Sequence, residues 1–400
     1  MTEGSNQPVK IPKQIKNFEI LEELGHGAFS TVCKARHMQN GQIFACKVFP
    51  KTNLTDQGDQ DRFQREINAM AFLRHESVVA LYDFIWDDDN FYLMMDFCPG
   101  GELFDYIVSH DKLDEPTAAV IFQQIASSLQ YCHSLGVAHR DLKPENVLIS
   151  SFPSIKVSDF GLCGYISDQK LMKTFCGSPC YCSPECLCRV QYDGRLSDVW
   201  SLGVILFAMV TGEHPWNISN TSIMLRQILK GSYTVPPFVS SQCKDLITRM
   251  MNVNPKDRIT IDDIIKHPWM KMAAKSKHKK VIPVKNSAPS LPSLKGLSIE
   301  EISEASARSS QRSNSGIFSP FDDSDQDDNS NLPMLCIRSA SSQNLIGVKP
   351  IGEITSIKKK VAPEGGALLS SNRQRSAANL LAKKATAKPV GLPMMTITEE

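Results

Sequence analysis

Long apolar runs are absent from this 400-residue sequence. The longest, from about Leu202 to Val210, falls far short of the ~18 to 20 residues that a helix needs to span a bilayer. The stretch from Met1 to Lys16 is polar and has no apolar core of a secretory signal. We therefore expect no membrane association and a cytoplasmic protein, with the nucleus as the alternative location.

Net charge is also nearly absent, at +1, but the charges are unevenly distributed. Up to Met270 the sequence has 25 basic and 31 acidic residues, whereas 19 basic and 12 acidic residues follow. The first part contains no stripe of Lys and Arg with interleaved aromatic residues, which is the pattern of a nucleic-acid-binding surface. We therefore expect no nucleic-acid partner.

Cysteine, by contrast, is plentiful, with 12 residues in a sequence that has no export signal. Such cysteines are expected to be reduced thiols. Five of them are crowded together: Cys176, Cys180, Cys182, Cys186 and Cys188. Their spacing differs from the paired C-x₂-C ligands of a zinc site. Small, partly buried thiols are the favoured interpretation, with redox regulation as an alternative.

The hydrophobic pattern divides the sequence into two folded parts. Residues 18–97 alternate like β-strands around one helical stretch, Asp61 to Leu73, whereas residues 98–270 have helical periodicity. Pro99 to Gly101 is a natural hinge between them. The pattern predicts an α+β protein with a small β-rich N-lobe, which contains one main helix, and a larger, mainly α-helical C-lobe.

Both ends of the sequence are expected to be flexible. Residues 1–17 precede the first strand, and residues 271–400 form a Ser-rich basic tail without apolar periodicity. Little apolar surface is available there to offset the entropy of ordering the chain. We expect a largely disordered tail that is a candidate regulatory segment.

A glycine-containing turn follows the apolar stretch Phe18 to Leu24. It reads Gly25-His26-Gly27-Ala28-Phe29-Ser30-Thr31-Val32, and glycines allow such a hairpin to lie close over phosphates. Two glycines separated by one residue are more often an ordinary turn. A dinucleotide-binding fold is excluded because a strand continues where its helix should open.

A lysine interrupts the apolar strand Phe44 to Val48. An unpaired buried charge is costly, so Lys47 needs a partner, and Glu66 in the predicted helix is the candidate. The alternative is a lysine on the solvent face of an edge strand.

Two further motifs favour a phosphate-binding turn over an ordinary turn, and a paired Lys47 over a solvent-facing one. His139-Arg140-Asp141-Leu142-Lys143-Pro144-Glu145-Asn146 is followed by Asp159-Phe160-Gly161. With the glycine-containing turn, Lys47 and Glu66, this set resembles the eukaryotic protein kinases in order and spacing. The resemblance implies transfer of the γ-phosphate of ATP to a protein hydroxyl.

The resemblance also assigns roles to individual residues. Asp141 orients the substrate hydroxyl and accepts its proton, with Lys143 near the transferred phosphate, while Lys47 holds the α and β phosphates and pairs with Glu66. Asn146 and Asp159 bind Mg²⁺. The implied ATP contacts are Leu24, Gly25, His26, Gly27, Ala28, Phe29, Ser30, Thr31, Val32, Ala45, Lys47, Met95, Asp96, Cys98, Glu102 and Leu148.

Other matching positions indicate a subgroup and a substrate class. Lys143 and Gly177-Ser178-Pro179 resemble serine/threonine kinases, so a non-specific protein serine/threonine kinase is expected. Glu102, Glu145 and Ser178 are the implied substrate-recognition residues, the two glutamates for arginine upstream of the target hydroxyl. The sequence most resembles the AMP-activated-protein-kinase-like branch of the calcium/calmodulin-kinase group.

The same resemblance implies a framework and a switch. Glu185 of Ser183-Pro184-Glu185 should pair with Arg258, and Asp198 should anchor the catalytic loop. Met70, Leu81, His139 and Phe160 resemble a packed apolar column. Thr174 lies where that branch carries its activating phosphate, which Arg140 would bind, so an upstream kinase is an expected partner.

The tail contains serines three residues after an arginine, namely Ser315, Ser341 and Ser376. The last two also have leucine four residues downstream, which resembles the substrates of AMP-activated-like kinases. We expect self-phosphorylation there and a phosphoserine-binding partner such as a 14-3-3 protein. Two alternatives to a protein kinase stay open, namely a catalytically inactive scaffold and a small-molecule kinase on the same fold.

Overall fold

The computed structural model describes residues 10–27, 30–54, 57–160, 163–165, 172 and 177–278, which form two lobes. The N-lobe contains a six-stranded antiparallel sheet with the spatial order β1-β2-β3-β4-β6-β5. Its strands are β1 (Gln14–Ile15), β2 (Phe18–His26), β3 (Thr31–His37), β4 (Ile43–Pro50), β5 (Leu81–Trp86) and β6 (Asn90–Asp96). Between β4 and β5 lie a short 3₁₀ helix (Lys51–Asn53) and helix α1 (Gln57–Phe72).

The alternation of side chains along β4 gives the sheet two different faces. Ala45 belongs to the cluster that includes Phe63 of α1 and borders the cleft. Its neighbour Cys46 packs on the other face, with Phe44 and Tyr92. The register pairs Val32 of β3 with Lys47 of β4, so both side chains lie on the cleft face.

The C-lobe is mainly helical. Its helices are α2 (Leu103–His110), α3 (Glu115–Ser134), α4 (Pro184–Leu187), α5 (Gly194–Thr211), α6 (Thr221–Lys230), α7 (Ser241–Met250) and α8 (Ile261–Lys266). Strand β7 (Val137–Ala138) pairs with β10 (Gly164–Tyr165), and β8 (Val147–Ser151) pairs with β9 (Ser154–Val157). Pro144–Asn146 and Pro268–Lys275 are 3₁₀ helices.

Helix ends in this lobe follow local sequence rules. Asp114 accepts a hydrogen bond from the backbone N–H of Thr117, and Pro116 occupies the first turn of α3. Asn220 caps α6 in the same way. Helices α5 and α6 end at Gly212 and Gly231, both in the left-handed conformation that favours glycine.

Helix α5 lies at the centre of the C-lobe. Trp200, Leu202 and Ile205 on this helix are fully buried. Among the described residues it is the one helix long and apolar enough to cross a membrane, but 83% of it is buried inside the protein. Its hydrophobicity is therefore accounted for by its position in the core.

The structure corrects three predicted boundaries. The first strand begins at Gln14, and Ile15 is buried against the sheet, so residues 1–17 are not uniformly flexible. The C-lobe continues past residue 270, because the last 3₁₀ helix packs on α3 and Ser276 lies 3.3 Å from the hydroxyl of Thr117. Helix α1 begins four residues before Asp61, in a polar segment without apolar periodicity. The predicted two-lobed α+β fold is confirmed.

Candidate active site

A cleft of about 660 Å³ lies between the two lobes. Most predicted ATP contacts line it, namely Leu24, Gly25, His26, Gly27, Ser30, Val32, Ala45, Lys47, Met95, Asp96, Cys98, Glu102 and Leu148. Thr31 does not, because it is buried and its hydroxyl lies 3.1 Å from Nδ1 of His26. The ATP contact of Thr31 stays a prediction, and in the structure its hydroxyl contacts His26. Ala28 and Phe29 lie outside the described residues.

The inner end of the cleft is an apolar slot. Val32 and Leu148 pack against the cluster that includes Ala45 and Met95. Val32 and Ala45 come from the N-lobe sheet, whereas Leu148 comes from β8 in the C-lobe. Apolar side chains on both sides suit a planar aromatic base, as the sequence predicts for adenine.

Lys47 and Glu66 form the predicted ion pair. Their side chains are only 16% and 6% exposed, so neither charge is solvated by bulk water. Burial disfavours the ammonium, but the carboxylates of Glu66 and Asp159 outweigh this effect and raise the pKa of Lys47. Lys47 is therefore held as a cation at the edge of the cleft, which excludes the alternative of a solvent-facing lysine.

The backbone of the catalytic loop, residues 139–146, is anchored to α5 by one carboxylate. Asp198 accepts hydrogen bonds from the N–H groups of His139 and Arg140, each at 2.8 Å, and lies 2.8 Å from Nε2 of His133. Arg140 adopts a φ of 68°, which is uncommon for a side chain of its size. The anchor holds this bend and confirms the predicted role of Asp198.

Asp141 lines the cleft, and Lys143 lies directly beside it. The Nζ of Lys143 lies 3.1 Å from Oδ2 of Asp141 and donates to the hydroxyl of Ser178 at 3.0 Å. Oδ1 of Asp141 accepts the N–H of Ser178 at 2.9 Å. Burial disfavours the charge of Lys143, but Asp141 and Glu145 outweigh it and raise its pKa. Ser178 thus fixes both Asp141 and Lys143, and its predicted contact with substrate stays a prediction.

The close approach of Ser178 depends on Gly177. This residue has a φ of 87°, and a Cβ atom there would lie 2.7 Å from the carbonyl oxygen of Arg140. Only glycine fits both the conformation and the space. The Gly177-Ser178 sequence therefore connects the segment before α4 to the catalytic loop.

Asn146 and Asp159 offer oxygen atoms to the cleft. The amide nitrogen of Asn146 donates to the carbonyl oxygen of Asp141 at 2.8 Å, which leaves its Oδ1 as the ligating atom. Asp159 has a φ of 64°, and its charge acts on Lys47 across the cleft. One carboxylate and one amide oxygen beside a phosphate site are the ligands that Mg²⁺ prefers. The residues present therefore fit the predicted metal.

The family model of the protein kinase domain matches residues 18–270, which is more than half of the chain. The chain belongs to the protein kinase domain family. It is 39% identical over 269 residues to CBL-interacting protein kinase 33 of Oryza sativa, with 66% of this chain and 59% of the relative covered. It is 41% identical over 259 residues to maternal embryonic leucine zipper kinase of Xenopus laevis, with 64% and 39% covered.

A third relative is the carbon catabolite-derepressing protein kinase of Saccharomyces cerevisiae, which is 40% identical over 276 residues, with 67% of this chain and 43% of the relative covered. The matched part thus spans 39% to 59% of the length of these three relatives. These kinases and an SNF1-related kinase of Arabidopsis thaliana confirm the resemblance to the AMP-activated-protein-kinase-like branch.

Two glutamates of the kinase domain, Glu145 in the catalytic loop and Glu102 at the start of α2, line the cleft. Glu145 is largely buried, and its Oε2 has no hydrogen-bond partner within the part of the chain that the structure describes. Burial, opposed by Lys143 and reinforced by the charges of Asp141 and Asp105, raises the pKa of this carboxyl. A cation placed here would compensate a buried carboxylate.

The predicted framework of the kinase domain is in place. Arg258 donates to both carboxylate oxygens of Glu185, at 2.7 and 3.0 Å, and its side chain is fully buried. The rings of His139 and Phe160 lie 4.8 Å apart. Met70 and Leu81 are buried in the N-lobe, as expected for the packed column.

Four of the five crowded cysteines, Cys180, Cys182, Cys186 and Cys188, lie among the described residues. Among the described residues, no group of three or more His, Cys, Asp or Glu side chains is arranged to hold a metal ion. Cys182 and Cys186 pack with Tyr192 in a small apolar cluster, and burial raises the pKa of Cys180 to about 12. These observations agree with inert thiols. Thr174 and Cys176 lie outside the described residues, as do Ser315, Ser341 and Ser376.

Several residues that border the kinase cleft carry no sequence signal of their own. Phe49, Phe63 and Val79 line its inner wall, and Phe97 lies in the hinge beside Cys98. They come from separate elements and read as ordinary core residues. Only the pairing of β4 with β6 and the packing of α1 bring them together.

Proposed function

We propose that this chain is an ATP- and Mg²⁺-dependent protein kinase that phosphorylates serine and threonine hydroxyls in proteins. The observation that supports this most is the convergence of Asp141, Asn146, Asp159 and the Lys47–Glu66 pair on one cleft, with Lys143 paired to Asp141. The names of the relatives agree, since each is a kinase. Complete catalytic residues argue against an inactive scaffold.

The geometry supports a proposed task for each group. Asp141 is held by Ser178 and Lys143 so that its carboxylate can orient a substrate hydroxyl and accept its proton. Lys47 and Lys143 supply positive charge to the phosphates from opposite walls of the cleft. Mg²⁺, when held by Asn146 and Asp159, would neutralise charge on the phosphate oxygens. Because the protein mainly positions and neutralises, these few charges are sufficient for phosphoryl transfer.

Transfer of label from γ-labelled ATP to a mixture of Ser-, Thr- and Tyr-containing peptides tests this proposal. We expect label on serine and threonine, dependence on Mg²⁺, and loss of transfer in Asp141→Asn. Asp88→Asn, an exposed carboxylate in the β5–β6 turn, is the matched control. Label on tyrosine alone would overturn the substrate class, and no transfer to any protein would favour the scaffold or the small-molecule kinase.

The substrate is proposed to carry basic residues two to three positions before the phosphoacceptor. The buried, unpartnered Oε2 of Glu145 and the neighbouring charges of Asp105 and Asp141 support this, because an arginine there would satisfy a costly carboxylate. A positional peptide library should show enrichment of arginine that Glu145→Gln removes. Unchanged enrichment would contradict the assignment.

Activation is proposed to require phosphorylation of Thr174 by an upstream kinase, with Arg140 as the cation that binds the phosphate. The side chain of Arg140 lies beside Gly164 of β10, in the region of the chain that leads to Thr174. Thr174→Ala should keep basal activity low and unresponsive to an activating kinase. Full activity in that variant would place the switch elsewhere.

The tail and the location of the protein are proposed from the sequence alone. Ser341 and Ser376 are proposed self-phosphorylation sites that recruit a phosphoserine-binding protein, and the location is proposed to be cytoplasmic. Incubation of the active chain with a tail fragment and labelled ATP tests the sites. Unchanged labelling of a Ser341→Ala, Ser376→Ala double variant would refute them.

A further inference from the structure

Three segments of the chain meet behind the hinge at one lysine. Lys156 lies on β9 in the C-lobe, and its Nζ is 3.0 Å from Oδ2 of Asp96, the last residue of β6 before the hinge. The same ammonium donates to the backbone carbonyl oxygens of Glu76 at 3.0 Å and Val78 at 3.4 Å. Lys156 thus contacts the hinge and the loop that follows α1, residues 73–80, at the same time.

Asp96 is fixed from the N-lobe side by further hydrogen bonds. Its Oδ2 accepts the N–H of Ala80 at 2.8 Å, and its Oδ1 accepts the hydroxyl of Tyr82 at 2.8 Å. The backbone N–H of Asp96 donates to the carbonyl oxygen of Ala80 at 3.1 Å. The carboxylate therefore has little freedom to follow Lys156 if the lobes move apart.

Backbone hydrogen bonds complete this junction. The N–H of Val157 donates to the carbonyl oxygen of Ser77 at 2.8 Å, and the N–H of Val79 donates to the carbonyl oxygen of Val157 at 2.9 Å. The loop after α1 is thus hydrogen-bonded to β9, and β9 ends two residues before Asp159. The same loop continues the helix that carries Glu66.

The pair differs from an ordinary surface ion pair. Lys156 and Asp96 are 17% and 15% exposed, whereas Arg36 and Glu19, which pair on the outer strands, are 49% and 42% exposed. Exposed pairs contribute little, but removing one partner of a mostly buried pair leaves an uncompensated charge. The geometry of the junction should therefore depend on Lys156.

We propose that Lys156 is a positioning residue for phosphoryl transfer. Its ammonium fixes the angle between the lobes, because it holds the hinge carboxylate and the loop after α1 against the strand that leads to Asp159. This angle sets the distance between the Lys47–Glu66 pair and the metal ligands Asn146 and Asp159. The inference rests on the proposed kinase function, and it adds a residue that touches neither nucleotide nor substrate.

Steady-state kinetics of the purified full-length chain test the proposal. In Lys156→Met we expect the KM for ATP to rise and kcat to fall, each by about tenfold. The reason is that the charged groups on the two walls of the cleft are no longer held at the correct distance from each other. The KM for a peptide should stay unchanged, since its predicted recognition residues lie in the C-lobe. A purely structural role would lower the active fraction without changing the KM for ATP.

Three further variants sharpen the test. Lys156→Arg keeps the charge, so its KM for ATP should be close to that of the wild type. Arg36→Met, the matched control, should leave both constants unchanged. In a double-mutant cycle, Asp96→Asn combined with Lys156→Met should cost clearly less than the sum of the two single losses. Additive losses, or an unchanged KM for ATP in Lys156→Met, would overturn the proposal.

Hydrogen–deuterium exchange separates this inference from the proposed function. The N–H of Ala80 donates directly to Asp96, so its exchange should become at least about tenfold faster in Lys156→Met, whether or not the chain transfers phosphate. If the wild-type chain is inactive but the Ala80 N–H exchanges faster in Lys156→Met, the kinase proposal fails, whereas the role of Lys156 in holding the junction is supported. If the wild-type chain is active and the exchange is unchanged, the positioning role of Lys156 fails.

Discussion

The two walls of the cleft are held in different ways. On the C-lobe wall, Asp141 and Asn146 belong to one loop that Asp198 anchors to α5 and that Ser178 binds from the other side. On the N-lobe wall, Lys47 depends on one ion pair with Glu66, which comes from a separate helix. The C-lobe wall is therefore set by the fold itself, whereas the N-lobe wall depends on the position of α1.

This difference indicates where activity can be controlled. A movement of α1 would separate Glu66 from Lys47, whereas the catalytic-loop hydrogen bonds described above join the loop to Asp198 and Ser178 in the C-lobe. The junction at Lys156 is significant for the same reason, because it connects the loop after α1 to the C-lobe wall. Variants on the two walls should therefore lose activity in different ways.

Asp159→Asn on the C-lobe wall should give the largest loss of activity. Asparagine tolerates the left-handed φ of 64° at this position, so the backbone should be kept while the anionic metal ligand is lost. We expect kcat to fall by about a thousandfold or more with an unchanged melting temperature. Asp88→Asn serves as the exposed control, and near-wild-type turnover in Asp159→Asn would refute the metal assignment.

Lys47→Met on the N-lobe wall should lower kcat by about a hundredfold, because the charge on the phosphates is lost and Glu66 is left buried without its cation. Glu66→Gln should cost less, about tenfold, because Lys47 keeps its charge but loses its position. The ratio of the two losses separates the effect of the position of Lys47 from the effect of its charge. Equal losses would mean that Lys47 has no function without Glu66.

Asp198→Asn should damage the C-lobe wall through its anchor. An amide has one oxygen, so it cannot accept from His133, His139 and Arg140 as the two carboxylate oxygens do. We expect a loss of about 2 to 3 kcal/mol in the free energy of unfolding, together with reduced kcat. Urea denaturation and kinetics on the folded fraction measure the two effects. A normal kcat despite lower stability would show that the loop keeps its shape without the anchor.

The contrast between the walls also explains what the sequence could predict. Asp141, Lys143 and Asn146 lie within six consecutive residues, so a local motif identifies them together. The Lys47–Glu66 pair required the resemblance to kinases, since the two residues are 19 positions apart and neither segment is distinctive alone.

Contacts between distant segments stayed hidden. Lys156, Asp96 and Tyr82 come from β9, β6 and β5. The resemblance named Asp96 only as an ATP contact, and nothing in the sequence indicates that it also binds Lys156 and Tyr82. The burial of Thr31 could not be predicted, because a motif gives positions along the chain but not the direction in which a strand residue points. The domain boundary at residue 270 was placed too early because the last 3₁₀ helix, Pro268–Lys275, is only eight residues long and extends just five residues past Met270.

The smallest predicted effect concerns the response of the C-lobe to acid. His214 packs against the ring of Tyr181, and its Nδ1 is buried with no hydrogen-bond partner among the described residues. Burial lowers the pKa of His214 to about 4, from about 6.5 in the unfolded chain. Between these values the unfolded state binds more protons than the folded state, so stability should fall as the pH drops from 6.5 towards 4.

The loss attributable to His214 should reach at most about 1.4 kcal/mol for each pH unit in this window, and less because the residue keeps some solvent contact. His214→Leu removes the titrating group while keeping an apolar side chain against Tyr181. Denaturant unfolding at pH 7.5 and 5.5 measures the difference for each protein, and the value at pH 7.5 corrects for any change in packing. We expect the variant to lose less stability than the wild type between the two pH values. An equal loss in both proteins would mean that His214 is protonated in the folded chain as readily as in the unfolded one, and that the acid response of the C-lobe arises from other groups.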